Sequence, residues 1–162
     1  MIRPARPEDA AQILKFWNPL IRDTLVTFNP VEKTEAELRE TIAAKPLAGH
    51  AFLVAEEDGQ ILGFASYGQF RAGPGYARAM EHTIILATAA HGRGIGRALM
   101  TAIEDDARAK GYHTMVAGVS GGNPQGRAFH AAIGYAEVGV IPESGWKFGR
   151  YWDLVLMQKV LA

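Results

Sequence analysis

Residues 91–97, His-Gly-Arg-Gly-Ile-Gly-Arg, constrain the fold more than any other part of the chain. The residues before them, Met80–Leu86, are typical of a strand, and the apolar residues after them recur with the spacing of one helical face. The start of a helix carries unpaired backbone N–H groups and the positive end of the helix dipole, and glycine lets a phosphate approach them closely. This turn therefore predicts a cradle for a pyrophosphate, with an ordinary tight turn as the alternative.

The spacing of the glycines excludes two common phosphate-binding motifs. A dinucleotide fingerprint needs a third glycine three positions after Gly96, and a P-loop needs Gly-Lys followed by Ser or Thr; neither is present. A different glycine-rich site at a helix start is therefore required. The residues predicted to hold the phosphates are Gly92, Arg93, Gly94, Ile95, Gly96 and Arg97.

Composition limits the class of protein. The 162 residues predict a single domain, residues 1–162, and the 17 basic and 17 acidic side chains produce no net field that favours nucleic acid or an anionic membrane. No apolar run approaches the roughly 20 residues that span a membrane, and no secretory signal pattern is present. There is no cysteine, which excludes disulfides, and the histidine spacing is not that of a metal site. We therefore expect a soluble cytoplasmic protein without a metal.

Apolar periodicity predicts the element order β-α-α-β-β-β-α-β-α-β-β. Pro19 is expected to kink or break the first helix, and Thr34 begins a capping-box spacing for the second. Asp58-Gly59 predicts a tight hairpin, and the last two strands are predicted at 135–140 and 151–160. Hairpins in the first half and helical crossovers in the second predict a mixed α/β sheet with helices on its faces.

Two motifs resemble the GNAT superfamily of acetyl-CoA-dependent N-acetyltransferases. His91-x-x-Gly94-x-Gly96 is similar to the family's Gln/Arg-x-x-Gly-x-Gly/Ala turn, differing at the first position, and residues 123–135 are similar to its Asn-x-x-x-x-Ala-x-(Tyr/His)-x-x-x-Gly-Phe helix. The resemblance implies a central, mostly antiparallel mixed sheet of about seven strands with about four helices, and strands 4 and 5 splayed at the coenzyme site. It also implies acetyl-CoA as cosubstrate.

Residues 70–76, 81–84 and 145–154 are similar to the phosphinothricin and methionine sulfoximine acetyltransferase branch, as is Thr27-Phe28. One departure is Gly73, where relatives carry Arg or Trp. The branch implies a homodimer that acetylates the α-amino group of a small amino acid or an analogue of the methionine sulfoximine, methionine sulfone or phosphinothricin type. The substrate-binding residues that it implies are Phe28, Arg71, Gly73, Pro74, Gly75, Tyr76, Glu81, His82 and Thr83.

Direct transfer in a ternary complex is the economical mechanism, because a chain without cysteine forms no cysteine-linked acyl-enzyme. Glu81 interrupts an apolar strand pattern, and we predict that it acts as general base through a water molecule. The alternative is an exposed carboxylate paired with Arg71 or Arg78. Backbone N–H groups at the end of the same strand are predicted to stabilise the oxyanion and hold the pantetheine arm. These cofactor-binding groups belong to Ile84, Ile85 and Leu86.

Four further side chains have predicted roles. His82 points to the opposite strand face from Glu81, and we interpret it as structural. His130 lies where relatives carry Tyr or His near the coenzyme sulfur, so it either protonates the thiolate as a catalytic residue or packs in the core. Asn123 contacts the pantetheine, caps its helix, or does both. Arg71 is the predicted partner of an acceptor carboxylate.

Three rival functions stay open on the sequence. An acetyltransferase for protein N-termini or another small amine shares the fold. A non-catalytic acyl-CoA sensor would bind the coenzyme without turnover, and a nucleotide-phosphate binder would be stabilised by ATP or NAD and not by acetyl-CoA.

Overall fold

A seven-stranded sheet forms the centre of the protein in a computed structural model that describes residues 1–162. The strands are β1 (Ile2–Pro4), β2 (Phe52–Glu57), β3 (Gln60–Gln69), β4 (Ala79–Leu86), β5 (Thr114–Ser120), β6 (Ala136–Lys147) and β7 (Arg150–Val160). They lie in the order β1-β2-β3-β4-β5-β7-β6, and only the β4–β5 pair is parallel. The helices are α1 (Ala10–Asp23), α2 (Glu35–Leu47), α3 (Ile95–Ala109) and α4 (Pro124–Ala132). The predicted mixed sheet and element order are confirmed.

Side-chain alternation along the strands divides the core between the two faces of the sheet. Phe64 of β3 packs with α1 and α2 in one cluster of buried residues, whereas its neighbour Ala65 belongs to the larger cluster around α3. β4 follows the same rule, since Ile85 joins the α1–α2 cluster and Met80 joins the α3 cluster. Residues along β4 therefore reach the two sides of the sheet alternately.

Local signals position most helix ends and turns. The Thr34 hydroxyl accepts from the backbone of Glu37, as the capping-box spacing predicted. Asp58 and Gly59 take left-handed φ values of 51° and 78° in the predicted hairpin. Of the kink or break expected at Pro19, the break does not occur, because α1 continues to Asp23 and Pro19 removes only one backbone donor. None of the helices combines the length and apolarity needed to cross a membrane.

The last hairpin is longer than the sequence predicted. The strand expected at 135–140 begins at Ala136 and continues to Lys147. Its pairing with β7 is interrupted at residues 142–144, where the register shifts, and resumes at Gly145. Glu143 takes a positive φ of 54° there, and its N–H donates to Asp153 Oδ1 at 3.0 Å. Pro142 has no backbone N–H donor, so in the sequence it indicates the end of a strand. At a bulge, however, proline can be accommodated within the strand.

β4 and β5 separate after a short paired segment. Only Ala79–Glu81 pair with Thr114–Val116, and beyond them the two strands diverge. The predicted splay of strands 4 and 5 is therefore confirmed, and it leaves the far edge of β4 open between α1 on one face of the sheet and α4 on the other.

Candidate active site

A cavity of about 400 Å³ occupies the gap between the separated strands. β4 lines it with residues 82–85 and β5 with residues 117–119. α1, the loop after it, and α4 with its N-cap residue complete the lining. Of the residues predicted for the site, the gap brings together His82, Thr83, Ile84, Ile85, Asn123 and His130.

The turn before α3 and the first turn of the helix contain six consecutive backbone N–H groups, residues 92–97, that have no acceptor within the protein. We call these residues the phosphate cradle. Gly92 and Gly94 take left-handed φ values of 75° and 76°, and a Cβ atom on either would meet nothing within 4 Å. The amides therefore line an open surface at the positive end of α3, which suits a phosphate group.

Gly96 and the two arginines of the cradle have separate roles. Gly96 is buried, and a Cβ atom there would lie 3.1 Å from the side chains of Leu86 and Phe129. Its lack of a side chain therefore lets α3 pack against the end of β4 and against α4. Arg93 pairs with Glu57 at 2.6 Å, so much of its charge is already compensated, whereas Arg97 is exposed.

The open edge of β4 directs alternate amides into the cavity. The N–H of Ala87 donates to Leu62 of β3 at 2.8 Å, and hydrogen-bonded positions alternate along an antiparallel pair. The amide of Ile85 therefore faces β3, and those of Ile84 and Leu86 face the gap. Of the three predicted backbone donors, Ile84 and Leu86 have the required direction, and Ile85 is also a residue of the lining.

Glu81 lies at the last paired position of β4, beside the opening. Its carboxylate extends over β5, because a Cβ atom built on Gly118 would lie 3.0 Å from Glu81 Oε2. Although the residue is exposed overall, partial burial raises the pKa of this carboxyl above its ordinary value, and no cation compensates it. The alternative pairing with Arg71 or Arg78 is not present. An unpaired carboxylate with a raised pKa is what a general base requires.

His82 and His130 form a buried pair beside the cavity, with their Nε2 atoms 2.9 Å apart. His130 Nδ1 lies 2.7 Å from the carbonyl oxygen of Gly126, which only accepts, so Nδ1 carries the proton and Nε2 accepts from His82. His82 Nδ1 is then unprotonated, buried and without a partner. Burial lowers the pKa of both rings, that of His82 to about 3. Both ring nitrogens of His130 are therefore engaged within the protein, and its two alternatives, thiolate acid or packed core residue, stay predictions.

Asn123 fits both of its predicted roles. Its Oδ1 accepts from the N–H of Gly126 at 3.1 Å and caps α4. Its Nδ2 has no partner in the protein, and the residue lines the cavity. The side-chain amide is therefore free to donate to a ligand there.

The predicted substrate segment 71–76 does not line the cavity. Its backbone is fixed by Gln69, whose Nε2 donates to the carbonyls of Arg71 and Gly73 at 2.8 Å each. The Arg71 guanidinium lies 5.5 Å from the centroid of the exposed Tyr76 ring. The substrate-binding roles of Arg71, Gly73, Pro74, Gly75 and Tyr76 therefore stay predictions.

Sequence reasoning missed the part of the lining contributed by α1 and the loop after it. Lys33 is the only lysine or arginine in the lining, and its Nζ lies 5.0 Å from the centroid of the Trp17 ring, which also lines the cavity. Neither residue belongs to a motif; Trp17 followed the apolar face of α1, and Lys33 had no signal at all. No group of three His, Asp or Glu side chains is close enough to hold a metal ion.

The fold and the cavity together are those of an acetyltransferase. The profile of the Acetyltransferase (GNAT) family matches residues 17–135, and the chain belongs to this family. It is therefore an N-acetyltransferase, as the two sequence motifs implied.

Relatives match nearly the whole chain. An L-amino acid N-acyltransferase from Escherichia coli is 35% identical over 158 residues, which cover 97% of this chain and 91% of the relative. An L-methionine sulfoximine/L-methionine sulfone acetyltransferase from Salmonella typhimurium is 34% identical, covering 97% and 92%. A phosphinothricin N-acetyltransferase from Streptomyces coelicolor is 34% identical, covering 99% and 95%. The predicted branch of the family is confirmed.

A solved structure extends the comparison to the coenzyme. The crystal structure of a GNAT superfamily phosphinothricin acetyltransferase from Sinorhizobium meliloti, in complex with acetyl-CoA, has a TM-score of 0.93 at 28% identity. The match covers 100% of this chain and 88% of that one. This neighbour binds acetyl-CoA in the same fold.

Proposed function

We propose that the protein transfers the acetyl group of acetyl-CoA to the α-amino group of a small amino acid or an analogue of the methionine sulfoximine, methionine sulfone or phosphinothricin type. One observation carries the proposal: a single cavity has the open edge of β4 on one side and Lys33 in its lining, and Glu81 adjoins it beside Gly118. The substrates named for the relatives support the same class of acceptor.

In this proposal the phosphate cradle binds the diphosphate of acetyl-CoA. Its six free amides and the exposed Arg97 provide donors and positive charge. The pantetheine arm then follows the open edge of β4, where the amides of Ile84 and Leu86 and the free Nδ2 of Asn123 are available as donors. The acetyl group reaches the gap between β4 and β5, next to Glu81.

The chemistry proposed is direct transfer. Glu81 accepts a proton from the ammonium of the acceptor through a water molecule, and the neutral nitrogen attacks the thioester carbonyl carbon. The amide of Ile84 or Leu86 stabilises the oxyanion, an interaction whose loss typically costs ~3 kcal/mol. The C–N bond forms, the C–S bond breaks, and the leaving thiolate takes up the proton that the attacking nitrogen loses as it becomes an amide. Because both reactants are held in one cavity, their positioning removes much of the entropic barrier.

Lys33 is our candidate for binding the carboxylate of the acceptor. Lys33 lines the cavity with its Nζ 5.0 Å from the centroid of the Trp17 ring, whereas the predicted partner Arg71 lies outside the lining. A carboxylate held by Lys33 would place the α-amino group in the cavity rather than at the surface. A peptide lacks this free carboxylate beside its N-terminal amine, so the interaction also favours amino acids over protein N-termini.

We also propose that the enzyme is a cytoplasmic homodimer. The edge strand β6 and its hairpin expose an apolar surface that includes Val138, Val140, Ile141, Trp146 and Tyr151. An exposed surface of this kind on an edge strand is typical of a protein interface. Light scattering at micromolar concentration tests the dimer, and a monomer would contradict it.

An acetyl-transfer assay that detects the released thiol tests the function. We expect turnover with methionine sulfoximine, methionine sulfone, phosphinothricin and L-amino acids, and slower turnover with peptides. For a matched amine that lacks the carboxylate, we expect a KM at least about tenfold higher, since a charged hydrogen bond is lost. Lys33→Met should remove this difference, and Arg71→Met is the matched control.

Three results would contradict the proposal. Faster turnover of peptides indicates an acetyltransferase for protein N-termini, and acetyl-CoA binding without turnover of any amine indicates a sensor. If the preference for acceptors with a carboxylate persists in Lys33→Met and disappears in Arg71→Met, Arg71 and not Lys33 binds the carboxylate.

A further inference from the structure

A buried lysine holds the loop that forms one side of the cavity. Residues 24–29 follow α1, and Val26, Thr27 and Asn29 among them line the cavity; we call this loop the acceptor wall. Lys147 of β6 reaches the base of the wall from more than a hundred residues away in the chain. Its Nζ donates to the carbonyl oxygens of Ile21, Thr24 and Thr27 at 2.6, 2.6 and 2.7 Å; these three groups lie at the end of α1 and within the wall.

The geometry uses every donor of the ammonium. A lysine ammonium has three N–H groups, and three converging carbonyls accept all of them. Lys147 is only 3% exposed, and its burial lowers the pKa of the amine. A buried ammonium is costly unless it is fully hydrogen-bonded, so the carbonyls must stay in place around it. The carbonyl of Ile21 also lies at the negative end of the α1 dipole, which favours a cation.

Two glycines complete the attachment of the wall. The Phe28 ring lies over Gly145, where a Cβ atom would be 2.5 Å away, and Leu25 lies over Gly122 at the same 2.5 Å distance. The side chains of Leu25 and Phe28 therefore pack against these glycines, and neither residue lines the cavity. Val26 and Thr27, between them, are turned into it.

We propose that Lys147 is a positioning residue for the acceptor: it fixes the curvature of the acceptor wall and thereby sets the affinity for the amine substrate, without touching either substrate. The effect of Lys147 on the affinity for the amine rests on the function proposed above. Its effect on the conformation of residues 24–29 does not, because that conformation belongs to the protein alone. Coenzyme binding at the phosphate cradle is independent of Lys147.

The absence of cysteine from the chain allows a direct test of the ammonium. Lys147→Cys is alkylated in denaturant with 2-bromoethylamine, which restores an ammonium on a side chain of nearly the same length, and is then refolded. Alkylation with 1-bromopropane gives the neutral control of similar shape. Lys147→Met, without alkylation, and the parent protein taken through the same treatment complete the set.

Two measurements follow the wall and the substrates separately. We expect amide hydrogen exchange of residues 24–29 to be at least about tenfold faster in Lys147→Met and in the propyl derivative than in the parent protein, and near the parent rate in the aminoethyl derivative. We expect the KM of the acceptor to rise at least about tenfold in the same two proteins, with the KM of acetyl-CoA changing less than about twofold.

Parent-like exchange of residues 24–29 in folded Lys147→Met would overturn the proposal, as would an equal rise in both KM values. If no amine is turned over at all, the function proposed above fails, while the exchange rates still decide the role of Lys147. Should the neutral proteins not refold, Lys147→Arg decides: its planar guanidinium does not direct three donors to one convergent point. Parent-like exchange in that variant would also overturn the proposal.

Discussion

The phosphate cradle and the acceptor wall are built in opposite ways. The cradle consists of backbone amides of six consecutive residues, and it requires glycine at left-handed positions such as Gly94 and at the tightly packed Gly96. The shape of the wall depends instead on Lys147, Gly145 and Gly122, which are all remote in the chain. A site made of local backbone is retained through most side-chain changes. A site held by remote side chains changes when any of them does, so one fold can keep its coenzyme while its acceptor varies.

The largest effect is expected at Glu81, which belongs to neither region. Glu81→Gln should lower kcat by about 10²–10⁴-fold, because the base is lost while neither binding region is altered. The KM of acetyl-CoA should stay near the parent value. Since only the ionised carboxylate accepts a proton and burial raises its pKa, kcat/KM should rise with pH through that raised pKa in the parent enzyme. This acidic limb should be absent from the variant's pH profile.

Thermal unfolding provides the control for Glu81→Gln. The folded state holds the proton of Glu81 more tightly than the unfolded state, so this carboxyl destabilises the fold as pH rises through its raised pKa. At pH 7 the Tm of the variant should therefore equal or exceed that of the parent. Parent-like turnover across the pH range would remove Glu81 from the role of base.

The second largest effect is expected in the cradle. Gly94→Val should weaken acetyl-CoA binding by ~100-fold or more in a calorimetric titration, because an isopropyl group would cover the open surface above the amides. Gly111→Val is a matched control: Gly111 also has a left-handed φ, 84°, with nothing within 4 Å, but it follows the far end of α3. Both variants carry strain of about 1–2 kcal/mol. Equal loss of coenzyme affinity in both would contradict the cradle.

The sequence predicts the cradle and most of the fold because their causes are local. Glycine spacing at 92–96, the capping box at Thr34 and the turn at Asp58-Gly59 are each decided within a few residues of chain. The long strand β6 was missed because Pro142 resembles the end of a strand unless its bulge is seen against Asp153. The acceptor side of the site was missed for the same reason, since it also depends on contacts between residues that are distant in the chain.

Nothing near Lys33 in the sequence marks it as part of a cavity, and nothing near Lys147 indicates carbonyl partners around residue 24. The pairing of His130 with His82 was also not predicted, because it is a contact between residues that are distant in the chain. His82 lies 48 residues away from His130, and only the folded chain brings their Nε2 atoms to 2.9 Å. Local patterns therefore indicate the predicted coenzyme site, and tertiary contacts bring together the residues that we propose for the acceptor.

A smaller effect, confined to the acceptor, is expected from Gly145→Ala. The new methyl group would lie 2.5 Å from the Phe28 ring, so the ring and the wall must shift. We expect the KM of the acceptor to rise about tenfold with that of acetyl-CoA unchanged, since small displacements of positioning groups have effects of this order. Gly139→Ala, in the same strand with nothing within 4 Å, should behave as the parent. Equal effects of the two variants on the acceptor would contradict the attachment of the wall at Gly145.

The smallest effect separates the two roles of Asn123 on the coenzyme side. Asn123→Ala should lower the free energy of unfolding by ~1 kcal/mol in urea denaturation, since the cap of α4 is lost. Asn123→Ser keeps a capping oxygen and should retain the parent stability. Neither variant has the amide donor, so both should raise the KM of acetyl-CoA about fivefold, the effect of one hydrogen bond. A parent-like KM in Asn123→Ser would mean that Asn123 only caps its helix, and that backbone amides alone hold the coenzyme.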